Sequence, residues 1–159
     1  MTKLNSKTLA RIAAVQAVYQ YSLSNFEENI EKIHSNIQNF YGQRDLQEDM
    51  GYEDENLKFK LHKNFYKKIF DSFIENREIV DEEVKKHLSQ EWNFDNLHEN
   101  LKSIVRCGVT EILFLKEVPG KVIVSEYTDL SSEMLKQTEI GFVNSMLDKV
   151  KSEIRENET

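Results

Sequence analysis

The sequence has little of what marks several classes of protein. Its single cysteine, Cys107, excludes an internal disulfide and a multi-cysteine metal site in a chain of 159 residues. Five glycines and one proline are few, which favours helices joined by short connections over a turn-rich β fold. No apolar run approaches the roughly 18 residues of a membrane-spanning helix, and no signal-peptide pattern follows the basic N-terminus. We expect one domain over residues 1–159, in the cytoplasm and not at a membrane.

Motifs of catalysis are absent as well. The four histidines are scattered without an HExxH pattern, and neither GxxxxGK[ST] nor GxGxxG occurs. Cys107 lies between Val105 and Val109 in an apolar segment, which is typical of a buried core thiol rather than a nucleophile. Arg106 and Glu111 flank the same segment and are expected to form a structural polar contact that closes the helical bundle. The sequence therefore predicts no enzymatic activity, no metal and no cofactor.

Positive charge is scarce and unevenly distributed. The chain has 28 acidic against 21 basic residues, a formal net charge of −7, yet its first acidic residue is Glu27. The preceding segment carries Lys3, Lys7 and Arg11, whose spacing places them on one stripe of a helix. The overall charge argues against coating nucleic acid non-specifically, so any binding of a polyanion must be local. The stripe is either a seat for a polyanion or a solvated helix start.

Apolar residues recur at helical spacing through most of the chain, with no confident strand and no internal repeat. We predict an all-α protein of about seven helices. Ser6 is a plausible N-cap for a first helix over residues 6–23, and Asn25 or a neighbour would cap the second. A break within residues 76–81 divides a later pattern into two helices, and Pro119 suits the first turn of another. The pattern is carried by Ile30, Ile33, Ile37, Phe40, His62, Phe65, Tyr66, Ile69, Phe70, Phe73, Val80, Val84, Leu88, Leu101, Ile104, Val105, Val109, Ile112, Leu113, Val122, Ile123, Tyr127, Leu130, Met134, Val143, Met146, Leu147, Val150 and Ile154.

The helical pattern is interrupted over residues 42–56. This stretch contains six acidic residues, two glycines and few apolar residues. Such a composition cannot bury enough surface to fold, so it predicts a mobile acidic connector. A decoy that competes with an anionic ligand is the rival interpretation.

Two regions at opposite ends of the chain carry distinctive motifs. The N-terminal region contains Ala10-Arg11, Ala14-Val15-Gln16-Ala17-Val18-Tyr19 and Leu23-Ser24. The C-terminal region contains Ile104-Val105-Arg106, Glu111-Ile112-Leu113, Val118-Pro119-Gly120-Lys121-Val122, Glu126 and Phe142-Val143-Asn144-Ser145-Met146-Leu147-Asp148-Lys149. Together these motifs resemble the NusB family of bacterial transcription antitermination factors. The resemblance covers roughly residues 7–25 and 92–150, in the order that the family has.

The resemblance implies a fold and a set of partners. The fold would consist of two packed helical bundles. The protein would bind the boxA element of nascent ribosomal RNA jointly with NusE, a ribosomal protein that doubles as a transcription factor. The pair would then join an antitermination complex on RNA polymerase, without catalysing a reaction. Members of the family occur as monomers and dimers, so a monomer and a homodimer both remain open.

The charge asymmetry and the resemblance together indicate an RNA-binding surface. Lys3, Lys7 and Arg11 would hold phosphates, while Gln16, Tyr19 and Phe142 would lie near bases, and Thr138 stands where the family has an RNA-contacting acid. Three neutralised phosphates give a slope of log affinity against log salt of only about −2. RNA binding by the chain alone is therefore expected to be weak, and a partner must contribute further basic surface.

Each of these residues also has a purely structural interpretation. Tyr19 would belong to the core, Gln16 would satisfy a buried polar group, and Phe142 would staple the start of a helix. For NusE, the resemblance indicates the surface around the helix that begins near Leu97. The candidates there are Asp95, Glu99 and Lys102.

The sequence also departs from the family pattern. The Arg-rich start of the first helix is thinned to Lys7 and Arg11, and Gly120 replaces the family's tyrosine. Two alternatives therefore remain. One is a protein-only helical scaffold that has lost RNA binding. The other is a NusB-like accessory domain of a ribosomal RNA methyltransferase, although no methyl-donor domain follows within the 159 residues.

Overall fold

Seven α-helices and one short 3-10 helix make up the secondary structure of the described residues. The structure is a computed structural model, and it describes residues 5–43 and 60–158, with residues 42 and 43 described by their backbone alone. The prediction of an all-α fold is confirmed. The helices are α1 (Ser6–Leu23), α2 (Ile30–Gln43), α3 (Lys63–Glu75), α4 (Arg77–Lys86), α5 (Glu99–Phe114), α6 (Gly120–Ser131) and α7 (Gln137–Ile154), with the 3-10 helix at Phe94–Asn96.

Helix α5 lies at the centre of the fold. Every residue from Leu101 to Ile112 is buried, polar ones included. Helices α1, α3 and α4 pack against it as one group, and α6 and α7 pack against it as another. Because α5 belongs to both groups of helices, its polar side chains must find partners inside the protein. Cys107 is fully buried in this helix, as predicted, and burial raises the pKa of its thiol well above the ordinary value.

The predicted helix starts need small corrections. Asn5, not Ser6, caps α1, because its side-chain oxygen accepts from the backbone N–H groups of Lys7 at 3.0 Å and of Thr8 at 2.9 Å. Asn29 rather than Asn25 caps α2, accepting from the N–H of Lys32 at 3.1 Å. Asn25 instead takes a positive φ of 56° in the turn between the two helices.

Two further predictions concern the breaks between helices. The division within residues 76–81 is confirmed, because α3 ends at Glu75 and α4 begins at Arg77. Pro119 immediately precedes α6 instead of lying inside its first turn, and its carbonyl accepts from the N–H of Val122 at 3.0 Å. The predicted acidic connector at residues 42–56 lies outside the described residues beyond position 43. Among the residues that are described, no helix combines the length and apolarity needed to cross a membrane.

Candidate functional site

Arg11 does not lie on an exposed basic stripe. Its side chain is almost fully buried, and its guanidinium forms two parallel hydrogen bonds to the Glu111 carboxylate, at 2.8 and 3.1 Å. Glu126 lies 3.9 Å from a further guanidinium nitrogen, and the ring of Phe65 lies 4.9 Å away. Burial is the largest single effect and by itself lowers the pKa of Arg11, but the charge of Glu111, its hydrogen bonds and the nearby Tyr127 and Glu126 together outweigh burial, so the pKa is raised. The predicted exposure of Arg11 to phosphates is therefore wrong, because its turn of α1 faces α5.

Glu111 is the centre of this buried network. It accepts a short hydrogen bond from the hydroxyl of Tyr127 in addition to those from Arg11. Burial, and then the charge of Glu111, raise the pKa of Tyr127 well above its usual value. Arg106 is buried too, but it binds Asp81 on α4 at 2.8 and 3.0 Å and donates to the Ser22 hydroxyl at 3.2 Å. Glu111 and Arg106 therefore close the bundle as expected. They do not contact each other, however, because Glu111 pairs with Arg11 and Arg106 pairs with Asp81.

Lys7 remains at the surface, beside a groove between α1 and α3. Its ammonium lies 5.8 Å from the centre of the Phe65 ring. The groove has a volume of about 390 Å³, and its wall combines apolar side chains such as Val118 and Val122 with polar and charged ones such as His62, Lys68 and Glu117. Lys3 lies outside the described residues. Of the three predicted phosphate-binding residues, Lys7 is thus the one that the structure places at an accessible position.

Gln16 and Tyr19 lie on another part of α1. The side-chain oxygen of Gln16 accepts a hydrogen bond of 2.9 Å from the Tyr41 hydroxyl on α2. Nine residues separate Gln16 from Lys7, which at about 100° per residue places the two on opposite sides of the helix. Tyr19 is partly buried. Gln16 therefore has the structural role of joining α1 to α2, and the structure does not bring it together with Lys7.

Thr138 and Phe142 lie at the start of α7, beside Trp92. The centres of the Phe142 and Trp92 rings are 4.5 Å apart, and Phe142 is only 9% exposed. A shallow cavity of about 170 Å³ adjoins them, and Lys149 contributes to its wall. Thr138 is exposed at the edge of this cavity. The sequence reasoning missed Trp92 and Lys149, although the spacing of Thr138, Phe142 and Lys149 on one helix could have indicated a shared face.

The three residues proposed for NusE differ in accessibility. Asp95 is exposed in the 3-10 helix. Glu99 accepts a hydrogen bond of 2.6 Å from the Ser22 hydroxyl, which links α5 to the end of α1. Lys102 is 9% exposed, with its ammonium 3.6 Å from Glu99 and 4.9 Å from the centre of the Phe94 ring. Asp95 is thus the most accessible of the three, while Glu99 and Lys102 also support the packing around Phe94 and Ser22.

One cluster among the described residues has the donor types of a metal site. Glu83, His87 and Glu153 bring their donor atoms within 4.8 Å of one another where α4 meets α7. The Lys86 ammonium hydrogen-bonds Glu153 and lies 3.6 Å from Glu83. The single charge of Lys86 thus lies against both carboxylates, and the absence of a metal remains a prediction.

Comparison with known proteins decides the family. The NusB family model matches residues 8–152. The transcription antitermination protein NusB of Rickettsia bellii is 39% identical over 151 residues, covering 95% of this chain and 93% of the relative. The protein of the same name from Rickettsia conorii is 38% identical, with coverage of 95% and 94%. The chain belongs to the NusB family. The NusB family acts in transcription antitermination and is not a family of enzymes. The predicted resemblance to this family and the prediction of no enzymatic activity are therefore confirmed.

Solved NusB structures share the fold. The structure of T. maritima NusB superposes with a TM-score of 0.70 at 22% identity, covering 96% of this chain and 94% of that one. A structure of the antitermination factors NusB and NusE in complex with dsRNA gives a TM-score of 0.68, also at 22% identity, with coverage of 93% and 97%. The helical arrangement around α5 is therefore that of NusB over nearly the whole chain.

Proposed function

We propose that this chain binds the boxA element of nascent ribosomal RNA together with NusE and joins the antitermination complex on RNA polymerase. The observation that carries the proposal is the family match over residues 8–152, which spans both regions with distinctive motifs. The NusB protein solved with NusE and dsRNA supports it, because that complex brings a NusB protein together with NusE and with an RNA.

The start of α7 supplies groups suited to unpaired bases. Single-stranded RNA is read by stacking on aromatic rings and by hydrogen bonds to base edges. Trp92 is partly exposed and held by Phe142, while Thr138 and Lys149 flank it with a hydroxyl and an ammonium. In this arrangement Phe142 acts by positioning Trp92, since its own ring is almost covered.

The phosphate contacts that the first helix offers are few. With Arg11 engaged by Glu111, the first helix offers Lys7 and, ahead of the described residues, Lys3. Two contacts give a salt slope of about −1.4, which is too shallow for tight RNA binding by this helix alone. Positive surface beyond the first helix is therefore needed. We propose that NusE supplies part of it and docks near Asp95, Glu99 and Lys102.

The test is a titration of fluorescently labelled boxA RNA with the chain, alone and with NusE, at several salt concentrations. We expect weak, salt-sensitive binding alone and a large gain in affinity when NusE is present. Tight, salt-insensitive binding by the isolated chain would contradict this account. A boxA RNA that binds no better than a scrambled RNA, with NusE present, would remove the boxA assignment.

A protein-only scaffold is the second candidate. The burial of Arg11 against Glu111 favours it, because this removes one of the three predicted phosphate contacts. The same titration separates the candidates, since a scaffold binds NusE in a pull-down but leaves RNA unbound in the presence of NusE. Light scattering on the free chain separates a monomer from a homodimer.

A further inference from the structure

The chain contains a second basic segment that has no acidic residue. Between Glu55 and Asp71 lie five lysines and no Asp or Glu, whereas the chain as a whole has an excess of acids. This segment and residues 1–26 are the two longest stretches of the sequence without an acidic residue. In a protein with a net charge of −7, two such segments are natural candidates for a local positive surface.

The fold places these two segments side by side. The N–H of His62, just before α3, donates to the carbonyl of Ser6 at the start of α1, at 3.4 Å. The ammonium of Lys7 lies over the Phe65 ring of α3, and the Arg11 guanidinium lies over the same ring one turn later. Both helices thus begin at one end of the molecule, where the positive ends of their dipoles add to the charge of the lysines.

The lysines at this end are accessible and mostly unpaired. We define the α1–α3 basic face as Lys7, Lys60, Lys63, Lys67 and Lys68, all of which are exposed. Within the described part of the chain, only Lys68 among the five has a carboxylate within ion-pair distance, that of Glu117 at 3.1 Å. Lys63 and Lys67 are one helical turn apart, so they lie on one stripe of α3. At about 100° per residue, this stripe lies on another side of the helix from Phe65 and Lys68, which line the groove beside Lys7, so the basic face extends around the exposed side of α3.

Three acidic side chains of the described residues lie near this face. Glu117 is bound to Lys68, and Glu126 lies beside the buried guanidinium of Arg11. Asp71 follows one turn after Lys67 and lies 3.5 Å from His34 of α2. Among the described residues, the five lysines of this face therefore outnumber the carboxylates near it.

We propose that the α1–α3 basic face holds phosphates of the RNA backbone and takes the place of the contacts that the thinned first helix lacks. The inference rests on the proposed function and adds a second set of contacts, from α3, to it. A lysine ammonium binds phosphate as a point charge without reading the base, so this face contributes affinity and salt dependence rather than sequence preference.

The test compares two double substitutions of equal charge change. Lys63→Gln/Lys67→Gln removes two charges from the face, whereas Lys32→Gln/Lys121→Gln removes two exposed lysines from α2 and α6. Binding of labelled boxA RNA and of a scrambled single-stranded RNA is measured with NusE present, across a range of salt. Losing two phosphate contacts makes the salt slope shallower by about 1.4 and weakens binding about 25-fold at about 0.1 M salt. We expect this loss for both RNAs from the first variant and neither change from the second.

The outcomes distinguish the inference from the function on which it rests. If wild type binds boxA RNA but Lys63→Gln/Lys67→Gln keeps its salt slope and affinity, the face has no role and the inference is overturned. Equal losses from both double variants would also overturn it, because the effect would then be one of net charge. If the first variant instead loses binding to phosphatidylglycerol vesicles while its RNA binding is unchanged, the face belongs to a membrane surface. Absence of RNA binding by wild type with NusE would remove the proposed function itself.

Discussion

At the scale of single residues, the pair of Arg11 and Glu111 stabilises the fold. Both side chains are buried, and their two parallel hydrogen bonds join the first helix to the central one. Removing one partner of such a pair leaves an uncompensated buried charge, which costs about 3–5 kcal/mol. We therefore expect Glu111→Ala to lower the free energy of unfolding by that amount in urea denaturation. The double variant Arg11→Met/Glu111→Leu should be much less destabilised, because neither charge is left alone.

The control for this prediction is Glu117→Ala. Glu117 pairs with Lys68, and both side chains are more than half exposed, so their ion pair contributes about 1 kcal/mol or less. A Glu111→Ala variant as stable as Glu117→Ala would show that the buried pair does not hold α1 against α5.

Tyr127 gives the fold a predictable response to alkaline pH. Its pKa in the folded protein is raised well above 10.0, by burial and then by the charge of Glu111, so the folded state keeps its proton where the unfolded chain loses it. Stability is therefore fully present below about pH 10 and falls as the pH rises further. Because phenylalanine does not titrate, Tyr127→Phe should make this decline shallower, by about 1.4 kcal/mol per pH unit.

Urea denaturation at a series of pH values above 9 measures the decline. Tyr66, whose pKa is also raised by burial, keeps part of the alkaline slope in the variant. An unchanged slope in Tyr127→Phe would mean that this hydroxyl ionises in the folded state.

At the scale of elements, a glycine sets how closely α5 approaches α7. A Cβ atom added at Gly108 would lie 2.8 Å from two methyl carbons of Leu147, and both residues are buried. Gly108→Ala should therefore overpack this contact and destabilise the protein by about 1–3 kcal/mol. Gly141 on α7 has no atom within 4 Å of an added Cβ, so Gly141→Ala should stabilise the helix by up to about 1 kcal/mol. Thermal unfolding of both variants checks the opposite signs; a destabilised Gly141→Ala or a neutral Gly108→Ala would contradict the packing described.

The elements were largely predictable from the sequence, and the contacts between them were not. Apolar periodicity places the helices, and the residues between 76 and 81 break the pattern where α3 gives way to α4. The exact caps depend on a single side-chain oxygen, so the sequence pattern favours Ser6 and Asn25 or its neighbours, whereas Asn5 and Asn29 act in the fold. The close approach at Gly108 could not be predicted, because it depends on which residue of another helix faces it.

The candidate site was predictable only in part for a related reason. The spacing of Lys7 and Arg11 puts both on one stripe of α1, but spacing does not tell where along the helix that stripe becomes covered. In the fold, Lys7 on this stripe is exposed to solvent, whereas Arg11, one turn later, is buried against the carboxylate of Glu111. The lysines of α3 join Lys7 through tertiary packing of segments that are more than fifty residues apart, which charge counting along the chain does not reveal.

At the scale of the whole molecule, the proposed contacts with RNA phosphates and with NusE lie on different elements. The α1–α3 basic face surrounds the starts of α1 and α3, whereas Asp95 lies in the 3-10 helix ahead of α5. If the two surfaces act independently, charge changes in each should affect one partner only.

Asp95→Lys should weaken NusE binding by about tenfold, because reversing an exposed interface charge replaces attraction by repulsion. It should leave the salt slope of RNA binding by the isolated chain unchanged. Lys63→Gln/Lys67→Gln should make that salt slope shallower and leave NusE binding unchanged. Biolayer interferometry with immobilised NusE and RNA anisotropy measure the two steps separately. If Asp95→Lys changes the RNA slope of the isolated chain, or if the lysine variant weakens NusE binding equally, the two partners share a surface and the assignment of separate faces is wrong.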